Sequence, residues 1–215
     1  MKVAVIGASG FVGTAVVKEL LHKGHKVIAI ARNIDKLGAK DGVTAIAADA
    51  TDKNALITAL QGADAAVSAY NAGWTNANLY ADFIAGSKAI QEGVKASGVK
   101  RLLVVGGAGS LFIEGKQLVD SPQFPKEYYN GANAARDYLN DLKNEKELDW
   151  VFLSPAIEMN HTTSGIRKGT YRSGLENPIF DGEGRSILSV EDLAVAIVDE
   201  LEQHNHSRER FTAAY

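Results

Sequence analysis

Apolar residues along this chain gather into short unbroken runs, separated by longer stretches in which they recur every three or four positions. The runs at 3–6, 27–30, 43–47, 65–68, 101–105 and 150–153 have the length and continuity of buried strands. Between the first two, positions 14–22 carry Val16, Val17, Leu20 and Leu21 at helical spacing, and Gly24 supplies a stop. Further helices are predicted over 52–61, ending near Gly62, and over 76–97, where Leu79, Phe83, Ile90 and Val94 form one stripe before Gly98. Two more are predicted over 127–146 and 191–201, and a short strand at 210–212 closes the sheet edge. Strands that are apolar throughout, alternating with helices, predict a doubly wound parallel α/β sheet covered on both faces. No repeat, low-complexity tract or linker interrupts the pattern, so 1–215 reads as one domain. One segment departs from it: 155–185 is rich in Gly, Asn, Ser and Thr and lacks a period. Long irregular stretches inside compact domains usually carry function, which makes 155–185 the expected substrate-side loop.

The chemistry begins where the first strand ends. Gly7-Ala8-Ser9-Gly10-Phe11-Val12-Gly13 runs from that strand straight into a helix. Glycine at the first position permits a tight turn, at the second a close backbone approach to a pyrophosphate, and at the third tight helix–strand packing. The helix N-terminus adds free N–H groups and a positive dipole end. No Gly-Lys-Ser/Thr follows, so an ATPase phosphate loop is excluded. The expected fold is therefore Rossmann-like, with a dinucleotide as ligand. After the second strand the chain reads Ala31-Arg32-Asn33, with no carboxylate before Asp35. A carboxylate there would bind the ribose 2′-hydroxyl of NAD(H), whereas an arginine favours a 2′-phosphate. NADP(H) is expected over NAD(H).

Composition narrows the remaining classes. With 46% hydrophobic and 23% charged residues the chain can build a sizeable core. It has no Cys, which removes disulfides, thiolate metal sites and a cysteine nucleophile, and a cytoplasmic setting is expected. Its 23 basic and 26 acidic residues leave a net charge of -3, the wrong balance for a nucleic-acid footprint. No run approaches the roughly 18 apolar residues of a membrane helix. Neither nucleic acid nor membrane is an expected partner, a small planar acceptor is, and a homo-oligomer is compatible with the sequence. His204 and His206 stand two apart and share no helix face, and no metal site is expected.

The motifs together resemble the atypical short-chain dehydrogenase/reductase superfamily, in its NAD(P)H-binding, NmrA-like and flavin-reductase-like branch. The resemblance rests on residues 7–13, Ala31-Arg32-Asn33, Ala48-Asp49-Ala50, Val104-Val105-Gly106-Gly107-Ala108-Gly109, Leu153-Ser154-Pro155-Ala156, and Ile187 through Ala194. It implies that Asp49, with Ala50 beside it, meets the adenine. It further implies that Ser68, Ala69 and Tyr70 line the ribose and nicotinamide, and that Ser189 opens the last helix.

Typical short-chain dehydrogenases use Tyr-x-x-x-Lys, in which lysine lowers the tyrosine pKa for proton transfer. The residues four after Tyr70, Tyr80, Tyr128, Tyr129, Tyr138 and Tyr171 are Trp74, Ile84, Ala132, Asn133, Leu142 and Leu175, so the pair is absent. This leaves an NADPH-dependent reductase of flavin, quinone or a similar acceptor, in which protein-based proton chemistry is dispensable. Its pocket would draw on Trp74, Phe112, Phe124, Tyr128 and Tyr129. The alternatives are a non-catalytic NADP(H)-binding redox-sensing regulator and, against the missing pair, a sugar-nucleotide epimerase or dehydratase. Ser110, after the fifth strand, is the one catalytic candidate, as a hydrogen-bond donor to the acceptor. His161 and Glu158 in the irregular loop could act as acids but read more simply as surface residues.

Overall fold

A computed structural model of the chain describes residues 1–38 and 40–215. The strands are β1 (Lys2–Ile6), β2 (Lys26–Ala31), β3 (Val43–Ala47), β4 (Ala65–Ser68), β5 (Arg101–Val105), a small ribbon β6 (Phe112–Ile113) and β7 (Lys116–Gln117), then β8 (Asp149–Pro155), β9 (Arg172–Gly174) and β10 (Glu209–Ala214). The helices are α1 (Phe11–His22), α2 (Lys53–Ala59), α3 (Leu79–Ser97), α4 (Lys126–Leu142) and α5 (Val190–Gln203). Eight strands form one sheet in the order β3-β2-β1-β4-β5-β8-β10-β9, and β6 and β7 pair only with each other. Every pairing in the large sheet is parallel except β10 with β9. This is the doubly wound α/β architecture that the periodicity predicts.

Side-chain alternation along the strands builds two cores. Val3, Val5, Val67, Leu103 and Val151 enter one core with Val16 and Leu20 of α1 and Ile197 of α5. Ala4, Ile6, Leu102, Val104 and Phe152 enter the other, with Leu56 of α2, Ile90 of α3 and Tyr138 of α4. Burial on both faces is why the central strands read as unbroken apolar runs. The exception is β3, an edge strand on which Thr44, Ala45 and Ala47 are exposed.

Several boundaries differ from expectation for local reasons. Helix α1 starts at Phe11 rather than residue 14, because the glycine loop leads directly into its first turn. Helix α3 starts at Leu79 rather than 76: the Asn76 side chain takes the Asn78 N–H at 2.9 Å, an Asx turn that competes with helix. Helix α4 stops at Leu142 rather than 146, where Glu145 accepts the Glu147 N–H at 2.6 Å and the Leu148 N–H at 3.3 Å. Strand β9 and the β6–β7 ribbon carry no apolar period and were not legible from pattern.

The chain runs outward from β1 through β2 to β3, then returns to β4 on the other side of β1 and continues through β5 and β8. The order thus reverses between β1 and β4. Ligands of open α/β sheets bind beyond the carboxyl ends of the strands at such a point.

Candidate functional site

At that reversal the loop 7–13 is held chiefly by backbone contacts, with the Thr14 hydroxyl donating to the Ala8 oxygen at 3.3 Å. The N–H groups of Gly7 and Ala8 both bond to the Ile30 oxygen, at 2.9 and 3.1 Å, and the Gly10 N–H bonds to the Gly7 oxygen at 3.0 Å. Gly7 has φ +82°, and a Cβ there would lie 2.6 Å from the Ala69 oxygen at the end of β4. A Cβ on Gly13 would lie 2.1 Å from the Gly7 oxygen. These two positions exclude any side chain. At Gly10 the backbone is extended and a Cβ would meet only the Gly7 oxygen, at 3.3 Å, so the bare surface there faces outward.

Gly10 is also the N-cap of α1 and brings no capping side chain, and the first turn of that helix holds no acid. Its leading N–H groups and dipole end therefore offer positive charge to a ligand anion. A cleft of about 530 Å³ opens beside them, lined by Ser9, Gly10, Phe11, Lys18, Arg167 and Glu191.

Arg32 stands exposed directly after β2, and the turn after β3 is tied to it through the Ala48 N–H on the Ala31 oxygen at 3.1 Å. Asp49 in that turn accepts the Thr51 N–H at 2.8 Å and the Thr51 hydroxyl at 2.7 Å. Those bonds, with the Arg32 charge added, hold the Asp49 carboxyl below its ordinary range. Ala50 and Ser68 are buried, Ala50 under the turn and Ser68 at the end of β4. Ala69 follows with its N–H on the Ile6 oxygen at 2.9 Å. The half-buried Tyr70 ring lies 6.0 Å from that of Phe83 and presses on Gly86, where a Cβ would come within 2.5 Å of it. Its hydroxyl donates to the Asp82 oxygen at 3.1 Å. Burial, then the charges of Asp82 and Asp49, raise the phenol pKa. The phosphate loop, Arg32, Asp49, Ala69 and Tyr70 thus share one edge, whereas the Ser68 and Ala50 side chains are turned into the protein.

Ser110 is placed differently from its expected role. It is fully enclosed, and its hydroxyl donates to the Gly107 oxygen at 3.0 Å and lies 3.0 Å from the Ser154 hydroxyl. It pins the turn after β5 and does not present an oxygen to solvent. Nor does α4, the helix after β5, rebuild a proton-transfer pair: Asn133 is buried four residues after Tyr129 and donates to the Tyr129 oxygen at 3.0 Å. The aromatic candidates divide. Trp74 is 57% exposed and meets Tyr128 edge-on at 5.4 Å, seated over Gly131, where a Cβ would come within 2.7 Å of the indole. Tyr129 is also exposed, while Phe124 packs near Gly109 and Phe112 lies beneath Arg210.

The 155–185 segment folds back onto the phosphate loop. The His161 ring sits 4.1 Å from that of Phe11, and Arg167 forms a two-point ion pair with Glu19 of α1, both bonds at 2.8 Å. Glu158 pairs with Arg185 within the loop. The His161 and Arg167 contacts join residues far apart in the chain, so no local pattern could announce them. Among the described residues no cluster of His, Cys, Asp or Glu could hold a metal ion. Among the same residues no helix is long and apolar enough to cross a membrane.

With this geometry in view, the sequence pattern of the NAD(P)H-binding family matches residues 7–204. The chain belongs to that family. A Bacillus subtilis (strain 168) relative, the uncharacterized protein YwnB, is 38% identical over 215 residues, covering 99% of this chain and 97% of the relative. Among solved structures, a candidate epimerase from Bacteroides thetaiotaomicron is 42% identical with a TM-score of 0.91, over 100% of this chain and 96% of that one. A candidate NADH-flavin reductase from Streptococcus pneumoniae TIGR4 is 34% identical with a TM-score of 0.83, over 100% and 99%. A Rossmann-fold NAD(P)-binding family protein from Shigella flexneri, 21% identical, shares the fold with a TM-score of 0.70 over 99% and 92%.

As an NAD(P)H-binding protein the chain uses a nicotinamide dinucleotide, and its residues fit one. The side-chain-free surface at Gly7, Gly10 and Gly13 and the acid-free start of α1 suit a pyrophosphate. Arg32 and Asp49 are charged side chains at the end of the edge where β2 and β3 finish.

Proposed function

We infer that the protein is an NADPH-dependent reductase acting on a small planar acceptor such as a flavin or quinone. The observation that carries this reading is the composition of the acceptor side. Trp74, in the turn after β4, and Tyr128 and Tyr129, at the start of α4, offer exposed aromatic faces without a Tyr/Lys pair, and the Ser110 hydroxyl after β5 is enclosed, which supports an acceptor held by stacking. When bound, the reduced nicotinamide supplies a hydride. The protein holds two flat rings in register, excludes water between them and leaves proton delivery to solvent. Residues 7–13 and the start of α1 bind the pyrophosphate, and Arg32 binds a 2′-phosphate through its guanidinium fork. Similarity to a candidate NADH-flavin reductase supports the reaction class. Similarity to a candidate epimerase supports the fold, but epimerase chemistry needs an acid–base pair that α4 lacks, with Ala132 and Asn133 at the two positions in question.

The test is NADPH oxidation against a panel of flavins, quinones and aldehydes. Flavin or neutral quinone should be reduced and aldehydes should not. Tight NADPH binding without turnover of any acceptor would replace the reductase by a redox-sensing regulator. In the same titrations Arg32→Ala should weaken NADPH binding by about 30-fold, the loss of a charge-assisted pair worth roughly 2 kcal/mol, and leave NADH unchanged. Equal losses for both cofactors would remove the 2′-phosphate assignment.

A further inference from the structure

We propose that Arg210 is an anion-recognising group of the acceptor site, and that the Glu176 carboxylate occupies its guanidinium until an anionic group on the acceptor displaces it. This rests on the reductase reading and narrows it to acceptors that carry a negative group, such as a phosphate or a sulfonate, beside the reducible ring.

The placement is set by strand register. Ser68 of β4 aligns with Val104 of β5, Val104 with Phe152 of β8, and Phe152 with Arg210 of β10. Arg210, the second residue of β10, therefore stands in the same row as the last residue of β4, where the site lies, while β10 itself runs four residues further. Strand spacing of about 4.8 Å puts β10 about 10 Å across the sheet from β5, so a side arm leaving a ring over β5 travels toward it. Its neighbours Phe211 and Ala213 enter the α1–α5 core, so Arg210 and Thr212 face the opposite side, that of Ser110 and the β6–β7 ribbon.

Arg210 is 4% exposed as a residue, yet the hydrogen bonding of its guanidinium is incomplete. One terminal nitrogen donates to the Ser110 oxygen and the other to Glu176, while Nε is buried without a partner. The Thr212 hydroxyl, on the same face two residues on, is likewise buried without one, as is Nε of Arg101, so it is the exposed partner rather than the orphaned nitrogen that sets Arg210 apart. The Phe112 ring lies 5.4 Å from the guanidinium carbon. A buried cation must be paired, and burial does lower the Arg210 pKa while Glu176 opposes the shift.

The nature of the partner argues for exchange. At the other edge of the sheet, Arg101 pairs with Glu200 at side-chain exposures of 5% and 2%, and that carboxylate also meets the His206 ring at 2.6 Å. There both charges are locked in. In the Arg210–Glu176 pair the exposures are 2% and 53%. A carboxylate already half in water gives up little by leaving and completes its hydration there, provided another anion takes over the buried cation. Its backbone need not move: the Phe112 N–H bonds to the Glu176 oxygen at 2.9 Å, and the Asn177 amide to the Phe112 oxygen at 2.7 Å. Rotation of the exposed Glu176 side chain, itself part of the 155–185 loop, frees the guanidinium nitrogen it holds. An incoming phosphate or sulfonate has enough oxygens to satisfy the terminal nitrogen and the orphaned Nε together.

The experiment compares paired acceptors on the NADPH-loaded protein: FMN against riboflavin, and anthraquinone-2-sulfonate against menadione. Binding is followed by fluorescence quenching and turnover by NADPH oxidation. The wild-type protein should prefer the anionic member of each pair. Glu176→Gln keeps an amide oxygen to accept from the guanidinium but removes the competing charge; with its folding checked by circular dichroism, it should tighten the anionic members by about tenfold and leave the neutral ones unchanged. Arg210→Met should abolish the preference, with its folding checked by circular dichroism. Equal effects of Glu176→Gln on charged and neutral acceptors, or no effect on either, overturn the proposal even if Arg210→Met does not fold. Preference for FMN alone assigns the subsite to phosphate, and preference within both pairs assigns it to anions generally. Turnover of neutral acceptors without any anionic preference overturns the subsite and leaves the reductase standing. Anionic preference in binding without any turnover overturns the reductase and leaves the subsite, and binding of no acceptor overturns both.

Discussion

Helices α1 and α5 pack against the same face of the sheet and start at the same edge, yet their first turns are built in opposite ways. Helix α1 opens on Gly10, with no capping side chain and no acid in its first turn. Helix α5 opens on Ser189, whose hydroxyl accepts the Asp192 N–H at 3.1 Å, and carries Glu191 and Asp192 in its first turn. Those two carboxylates then bind loop backbone. Glu191 takes the Gly165 N–H at 3.1 Å, and Asp192 takes the N–H groups of Lys168 and Gly169 at 2.9 and 2.7 Å. The chain's own acids thus complete the positive end of α5 and order the loop beside the site. At α1 the same electrostatic need is left for a ligand's anion.

The sharpest way to break this contrast is to give α1 the start that α5 has. Gly10→Asp adds a Cβ that the Gly7 oxygen can accommodate with a small shift, so the fold should persist and the new cap should add about 1 kcal/mol. Like charges about 4 Å apart near a surface repel by roughly 4 kcal/mol, so NADPH affinity should fall by about two to three orders of magnitude in a fluorescence titration. Unchanged affinity in a folded variant would show that the pyrophosphate lies elsewhere. The converse change removes an acid from α5. Asp192 is fully buried, and in Asp192→Asn an amide NH₂ must face backbone donors, at a cost of about 2–3 kcal/mol. Denaturant melts should report that loss, with faster hydrogen exchange at 165–169.

The smallest effect concerns the strap between loop and α1. Hydrogen bonds from Arg167, aided by the charges of Arg167, His22 and Lys23 and opposed by burial, hold the Glu19 carboxyl below its ordinary value of 4.5. A depressed carboxyl pKa contributes stability that is complete above the unfolded value and disappears as pH falls through the folded one. Arg167 is partly exposed, so Arg167→Ala should cost about 1 kcal/mol or less at pH 7. That difference in melting should shrink as the pH falls below 4.5. A difference independent of pH would mean that packing, not charge, fastens the loop.

The same division explains what could be read before folding. The phosphate loop was legible because its constraints are local: three glycines, a strand before and a helix after, and an arginine at the end of the next strand. The two cores were legible because burial on both sheet faces writes continuous apolar runs. Ser110 misled because its position after β5 says where it lies but not that Ser154 and Gly107 enclose its hydroxyl. Asn76 delayed the start of a predicted helix to Leu79 through one side-chain bond that no apolar period records. The loop 155–185 was recognisable only as irregular, because Asp192, Glu191 and Glu19, distant in sequence, define its conformation.

Period, glycine spacing and the residue after each strand therefore settle what short-range physics controls: element type, the phosphate loop and the chemistry offered at its edge. Which buried charges find partners is decided only in three dimensions. Arg32, Arg101 and Arg210 look alike as isolated cations in the sequence. Folding leaves the first in water, encloses the second with Glu200 and Asp149, and gives the third a single, half-exposed carboxylate. The difference is desolvation, and desolvation belongs to the packed chain rather than to any residue in it.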